Sequence, residues 1–419
     1  MASDRLQAVS SFRSTAGGAI QPDLRLSIDH RTPQTIESTG RIEPLFLPED
    51  ELSGELLSLA ETIRKRADRF TASIHPASVI ALRELVLVAN AQYSCALEGH
   101  SVAASVLSRA EAGGPVTSEI AEVLAHVSAE RELDRLLQDQ SPPAPTSVDF
   151  IRRLHHDFYR ALNSYDQSVS LIPGSFRSCA KDDVVVGRHF PPASERVQAF
   201  MDHFEKRFSL CGNRPVPMIV SMPAAHHRLA YIHPFLDGNG RVARLMTHAM
   251  AHRCRISSGG LWSISRALSR GRGGPRSYHK MIDYADMPRQ SDRDGRGNLS
   301  VLALKEFTQW FLSAILEEID FSAELFCAAS LGDRFLQVSQ DANVTKLFMT
   351  LFTEGPVSFP DVPSITDLPA SVAESAISAL ISNGFLKSNP SGSLLAVSFP
   401  LSYCELLFPN FLISILNPD

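Results

Sequence analysis

The stretch Tyr231–Met250, YIHPFLDGNGRVARLMTHAM, sets a histidine (His233), an acid (Asp237), a Gly-Asn-Gly triplet and two arginines just ahead of an apolar pattern at helical spacing. Glycines flanking an asparagine, here Gly238, Asn239 and Gly240, turn successive backbone N–H groups into one concavity. The N-terminus of the following helix adds the positive end of its dipole, so an anion nest is expected. Arg241 and Arg244, three residues apart on the first helical turn, are placed to hold phosphate oxygens. Asp237 beside such a nest suits Mg²⁺, which takes one or two carboxylates plus substrate phosphates. His233 has the side chain whose titration suits a general base near neutrality. A phosphate cradle, a metal acid and a base together describe phosphoryl or nucleotidyl transfer to an incoming hydroxyl. The plainer alternatives are a structural histidine and an ordinary glycine turn, with Phe235 anchoring the loop in the core. No strand precedes the triplet, which disfavours a dinucleotide fold, and the P-loop pattern is absent.

Working outward, 419 residues are too many for one ordinary core. A hydrophobic content of 44%, a charged content of 21% and a net charge of -6 describe a globular chain with no overall pull toward nucleic acid or anionic membrane. Six scattered cysteines without a Cys-x-x-Cys pair are expected as buried free thiols. No apolar run approaches the roughly 18 residues of a membrane span. The opening MASDRLQAVSSFRS lacks the apolar centre of a signal peptide, so a cytoplasmic location is expected.

Residues 1–42, rich in Ser, Thr, Gly and Arg, are expected as a loosely ordered arm or an extended cover strand. A helical domain follows over 43–140. Its second strong pattern, SVIALRELVLVANAQYSCALEG, ends at Gly99 as a helix C-terminus. After the break SPPAPTS, Ser147 caps a further helix and opens a domain over 146–320. Within it Val184, Val185 and Val186, bounded by Asp183 and Gly187, suggest a small strand or hairpin. Residues 336–419 alternate helix, a Pro-rich stretch, helix and two short strands, the plan of a winged helix. The fold class expected is mainly α.

The segment HPFLDGNGRVAR resembles the signature of the Fic family, complete at every fixed position. PGSFR (Pro173 to Arg177), VVVG and FPPASERV resemble that family's β-hairpin flap, which aligns a target's backbone by strand addition. AHHRLAYIHPF resembles its lead-in helix, although the usual Phe-Glu pair is Leu229-Ala230 here. The resemblance implies a helical core that transfers AMP from ATP to a hydroxyl of a target protein. By it, His233 would deprotonate the hydroxyl and Asp237 would hold Mg²⁺ against the α- and β-phosphates. Gly238, Asn239, Gly240 and Arg241 would bind phosphates, and Arg244 would reach the γ-phosphate. Val184, Val185, Val186 and Gly187 would form the target-binding flap. Tyr278 matches an aromatic position near the nucleotide, with a structural role as the equal alternative.

SCALEG, Ser94 to Gly99, fits the family's inhibitory pattern of Ser or Thr, three residues, then Glu and Gly or Asn. The resemblance therefore implies that Glu98, flanked by Ser94 and Gly99, pairs with Arg244 and displaces the γ-phosphate. In some relatives the same glutamate supports AMP removal, and others transfer UMP, phosphocholine or phosphate, so both alternatives stand beside AMP transfer. A rival of another class is a DNA-binding regulator built on the C-terminal module. From Leu347 to Asp419 the sole basic residue is Lys387, against Glu354, Asp361, Asp367, Glu374, Glu405 and Asp419. Phosphate neutralisation supplies most DNA affinity, so nucleic acid is disfavoured. The partners expected are ATP and a target protein, with no membrane; a homodimer is left open.

Overall fold

A computed structural model describes residues 37–413 apart from 48–49, 73, 168–170, 210–213, 272 and 390–391. The expected arm 1–42 therefore lies outside the described residues up to position 36. Its last part is packed rather than loose: Thr39–Ile42 forms a 3₁₀ turn with Arg41 and Ile42 buried. The Gly40 carbonyl accepts from the Asn298 amide at 3.0 Å, a long-range tie that composition cannot show.

The segments that matter for the site are helices. They are α1 (Gly54–Thr71), α2 (Pro76–Leu97), α3 (Ala104–Glu111), α4 (Ser118–Leu137), α5 (Val148–Tyr165), α6 (Val197–Ser209), α7 (Pro215–Ile232) and α8 (Asn239–Arg253). After them come α9 (Ile264–Arg270), α10 (Pro275–Ala285), α11 (Val301–Leu325), α12 (Ala328–Ser339) and α13 (Ala342–Glu354). Their starts follow local chemistry. Thr117, Ser147, Ser263 and Ser300 each accept a backbone N–H of the first turn, and Pro215 opens α7 where its missing N–H costs nothing. Helix α7 is buried on nearly every side and packs against α8, while α2 packs against α4 and α9. α5 shows the opposite pattern, one apolar stripe of Phe150, Ile151, Leu154, Phe158 and Leu162 with polar residues elsewhere.

One large core cluster runs from Ile42 to Leu412, a smaller one gathers Ala121, Ala125, Ala129, Phe158, Tyr159 and Leu162 between α4 and α5, and the described residues form one compact unit. The segments expected as separate domains share that core. Phe326 at the end of α11 packs its ring 5.4 Å from Phe408 and 5.3 Å from Phe411. Beyond α13 come β1 (Val357–Ser358), α14 (Val362–Thr366), α15 (Ala370–Ser382), β2 (Leu386–Ser388), β3 (Leu394–Val397) and α16 (Cys404–Leu407). The three strands form an antiparallel sheet in the order β1-β3-β2. β1 and α14 lie inside the Pro-rich stretch, where proline sits at a helix start and beside an edge strand rather than in a loop.

Two expectations need correction. The valine run is a hairpin reduced to its turn: among the described residues its pairing is one isolated antiparallel bridge, in which the Val186 and His189 amides donate to each other's carbonyls at 3.0 and 2.9 Å across Gly187 and Arg188. Val185 and Val186 are exposed, with no neighbouring strand to complete a ladder. The thiols are not uniformly buried either. Cys95, Cys254 and Cys404 are, but Cys179 is partly exposed and Cys327 exposed, while Cys211 lies outside the described residues. No single described helix is long and apolar enough to cross a membrane.

Candidate active site

Helix α7 ends at His233, which caps it in the left-handed region at φ 50° and ψ 60°. For a residue with a side chain that conformation costs on the order of 1 kcal/mol, so its surroundings must impose it. The chain then turns through Pro234 and Leu236 to Gly238, whose φ of 80° starts α8. A Cβ on Gly238 would stand 2.9 Å from the Tyr159 ring, so the tyrosine seals that turn against any larger residue.

Three side chains hold this loop. Asn239 accepts from the Phe235 amide and donates to the Phe235 carbonyl, both at 2.9 Å. Its carboxamide is thereby spent on the loop, and its contribution to anion binding is confined to the backbone N–H of the open first turn. Phe235 is fully buried and stacks 3.9 Å from the His155 ring, the core anchor expected of it. Arg177, 2% exposed, donates to the carbonyls of Ile232 and His233.

Asp237 accepts from the Tyr159 hydroxyl at 2.5 Å and has Arg241 at 3.7 Å, while its side chain remains 62% exposed. Burial works to raise its pKa, yet Arg241, the Tyr159 hydroxyl and the Gly238 N–H together hold it below the usual carboxylate range. It is therefore ionised, with surface left to meet a cation. No cluster of three or more acidic, His or Cys ligands occurs among the described residues, so a cation here would need oxygens from a bound phosphate, as Mg²⁺ commonly does. The residues fit that arrangement and no protein-only cage.

His233 is pushed down to about 4, chiefly by burial and further by the His189 and Arg177 charges, against the opposing pull of Glu98 and Asp237. At neutral pH it is an uncharged imidazole, able to take a proton. His189 sits beside it, its Nε2 2.8 Å from the Tyr231 carbonyl and its Nδ1 3.0 Å from Asp286.

The arginines of α8 do not both face the nest. Arg241, 3% exposed, reaches Glu122 at 2.9 Å and lies 5.0 Å from the Phe158 ring centroid. Its Nε and one terminal nitrogen have no hydrogen-bond acceptor. Arg244, 1% exposed, donates to the Ser94 hydroxyl at 2.9 Å, the Ser94 carbonyl at 2.9 Å and the Glu98 carboxylate at 2.6 Å.

Glu98 arrives there through helix chemistry. It is the C-cap of α2, and Gly99 follows at φ 94°. The His100 amide returns to the Cys95 carbonyl and the Gly99 amide to the Ala96 carbonyl, each at 3.0 Å, which is a Schellman closure. A Cβ on Gly240 would collide with Glu98 Oε1, so the carboxylate lies directly over the first turn of α8. Burial works to raise the Glu98 pKa, but Arg244 and then Arg241 hold it below the usual range. The side chain fills the very cradle that the sequence marks for an anion.

Glu98, His233, Asn239, Gly240, Arg244 and Tyr278 line one cleft of about 480 Å³, together with Val186, Gly187 and residues of α10. Tyr278 is 5% exposed and donates to or accepts from His226 Nε2 at 2.8 Å, stacking toward Trp310. That packing is structural, although its edge reaches the cleft. Val184 and Val185 do not line it. Arg177, Tyr159, Glu122 and the His189–Asp286 pair have no assigned role in the sequence reading. Only the PGSFR resemblance pointed at one of them.

Residues 145–251 match the model of the Fic/DOC family. Two relatives described as "Protein adenylyltransferase Fic", from Drosophila sechellia and Drosophila melanogaster, are each 34% identical over 80 residues, 19% of this chain. The match spans 16% of those relatives' own length. A solved Fic family protein from Desulfovibrio desulfuricans is similar at a TM-score of 0.49 and 15% identity, covering 84% of this chain and 98% of that one.

Proposed function

The chain is a Fic family protein with its Fic domain at residues 145–251, and on that premise we propose that it is a nucleotidyltransferase moving AMP from ATP to a Ser, Thr or Tyr hydroxyl of a target protein, held inactive by Glu98. The observation that carries the reading is the Glu98 carboxylate lying over the Gly240 turn and paired with Arg244. An anion held there by a cation and a helix N-terminus supports a site built for a phosphate.

In the transfer, neutral His233 takes the proton of the target hydroxyl as its oxygen bonds to the α-phosphorus. The bond from that phosphorus to the bridging oxygen breaks, and pyrophosphate leaves. The open N–H groups of α8 and the Arg244 guanidinium hold the phosphates, with Arg241 adding positive charge from beneath. Asp237 would hold Mg²⁺, which when bound neutralises charge on the phosphates. The Val184–Val186 edge, exposed at Val185 and Val186, is proposed to receive the target backbone by strand addition, and the C-terminal module to act as a winged helix that binds protein rather than DNA. Glu98 competes for Arg244, so ATP entering beside it sits displaced, and small misplacements of reacting atoms cost about a hundredfold in rate.

The test is label transfer from α-³²P-ATP with Mg²⁺, comparing the unmodified chain, Glu98→Gly and Glu98→Gly/His233→Ala. Labelling of the chain itself or a lysate protein by the single variant, lost with His233, supports the reading. Absence of label in all three, with ATP still bound, turns it toward another donor or toward AMP removal.

A further inference from the structure

The nucleotide cleft accounts for what binds phosphate, but not for what keeps His233 in its left-handed conformation at the mouth of that cleft. The C-terminal end of α7 leaves backbone carbonyls without helical partners. Arg177 takes two of them, its Nε donating to the His233 carbonyl at 2.7 Å and a terminal nitrogen to the Ile232 carbonyl at 3.0 Å. The same terminal nitrogen also donates to the Pro192 carbonyl at 2.6 Å, and the other reaches the Ser194 hydroxyl at 2.9 Å. The Arg177 backbone amide donates to the Pro234 carbonyl at 2.9 Å, so three successive carbonyls, Ile232 to Pro234, are held by one residue.

The guanidinium also faces the segment leading to the valine edge. Asp183 lies 3.7 Å from Arg177, and its carboxylate accepts from the Ser194 amide at 2.7 Å. Asp183 immediately precedes Val184. One planar, five-donor group therefore fixes both the end of α7 and the base of the edge proposed to meet the target. Arg177 does not line the nucleotide cleft. It lines a separate cavity of about 590 Å³ on which Leu236 of the catalytic loop also opens. It is thus placed to affect the geometry of the base without touching the nucleotide.

We propose that Arg177 is a positioning residue that holds the His233 backbone and the Val184–Val186 edge in fixed relation, so that the base meets a hydroxyl presented along that edge. This rests on the AMP-transfer reading, and it assigns to Arg177 a part in the transfer step rather than in nucleotide binding. A lysine keeps the charge but has neither the fork nor the reach to serve the two sides at once.

The experiment compares Arg177→Lys with its parent, both in the Glu98→Gly full-length chain, for label transfer and for the Kd of a fluorescent ATP analogue. The expected result is a fall of about a hundredfold in kcat, with the analogue's Kd changed by less than about threefold. Transfer within about threefold of the parent overturns the proposal, and so does a loss of nucleotide affinity in proportion to the loss of transfer. Ser194→Ala removes one distal acceptor without an arginine loss. It is expected to show the same split at about three- to tenfold, and decides the matter if Arg177→Lys does not fold. The His233 ring signal in a ¹H–¹³C spectrum, assigned by its loss in His233→Ala, gives a readout independent of chemistry. If the parent transfers no label, the AMP-transfer reading fails, and movement of that signal in Arg177→Lys or Ser194→Ala supports the positioning role while an unmoved signal overturns it.

Discussion

Glu98 Oε1 lies 2.6 Å from a terminal nitrogen of Arg244, which also donates to the Ser94 carbonyl while Arg244 Nε donates to the Ser94 hydroxyl. All three of these acceptor atoms belong to the last turn of α2 and its cap, so a guanidinium of α8 is gripped by the end of its neighbour. On the proposed reading, a γ-phosphate would compete with the Glu98 carboxylate for the same cation. Charge-assisted hydrogen bonds of this kind are worth roughly 1.5–3 kcal/mol. Glu98→Gly is therefore expected to tighten ATP by about tenfold or more while leaving AMP, which lacks the γ-phosphate, within about twofold. Calorimetric titration of both nucleotides checks this, and equal tightening of the two would remove Arg244 as the contested group.

His233 bears on the pH dependence. Its folded-state value is lowered to about 4, by burial first and then by His189 and Arg177, with Glu98 and Asp237 opposing. A depressed histidine is the neutral base at every pH above that value. The acid limb of kcat/KM, measured in Glu98→Gly, is expected near pH 4 rather than near the ordinary histidine value of about 6.5. A limb at 6.5 would show that the imidazole is solvated in the active form.

The loop was legible in the sequence because its chemistry is local. His233, Asp237, the Gly-Asn-Gly triplet and the arginines sit within twelve residues, and Glu98 ends a helix whose C-terminal glycine can be read directly. What escaped depends on residues far apart. Arg177 meets His233 across 56 positions and Tyr159 meets Asp237 across 78, and neither pair carries a spacing signal. The valine run forms no more than the turn of a hairpin for a related reason. β-branched residues mark a surface ready to pair, but pairing needs a second strand, and here one bridge to His189 is all the described fold supplies. The partner of Arg241 was not legible either: Glu122, which pairs with it, lies on α4.

Asn239 offers a test of the loop's own stability. Its carboxamide makes both hydrogen bonds to Phe235 and is 3% exposed. Asn239→Ala leaves a buried N–H and C=O unpaired and is expected to cost about 1–3 kcal/mol. Thermal unfolding should show a lowered Tm, with loss of transfer in the Glu98→Gly background. An unchanged Tm would mean that the loop is held without the clamp.

Tyr278 separates a packing role from a nucleotide role. Its hydroxyl meets His226, a histidine that burial first, then the Arg244 and His227 charges, push down to about 3. Tyr278→Phe keeps the ring and deletes the hydroxyl. The expected outcome is a loss of about 1 kcal/mol of stability, with ATP affinity changed by less than about threefold. A tenfold loss of affinity at unchanged Tm would assign the hydroxyl to the nucleotide instead.

Gly240 provides the sharpest check on where Glu98 lies. Gly240 occupies the first turn of α8, where its φ is not in the left-handed region, so alanine suits the backbone there. The obstacle is the Glu98 carboxylate, which a Cβ would displace, with Arg244 next at 3.0 Å. In the unmodified chain Gly240→Ala is therefore expected to lower Tm, because the ion pair must open. In the Glu98→Gly background the same substitution meets no carboxylate and gains the helix preference of alanine over glycine, about 1 kcal/mol. The two changes should thus be strongly non-additive, as expected for groups in contact. A double-mutant cycle by chemical denaturation measures the coupling. Additive effects would place the Glu98 side chain away from the turn, and the competition for Arg244 would lose its geometric basis.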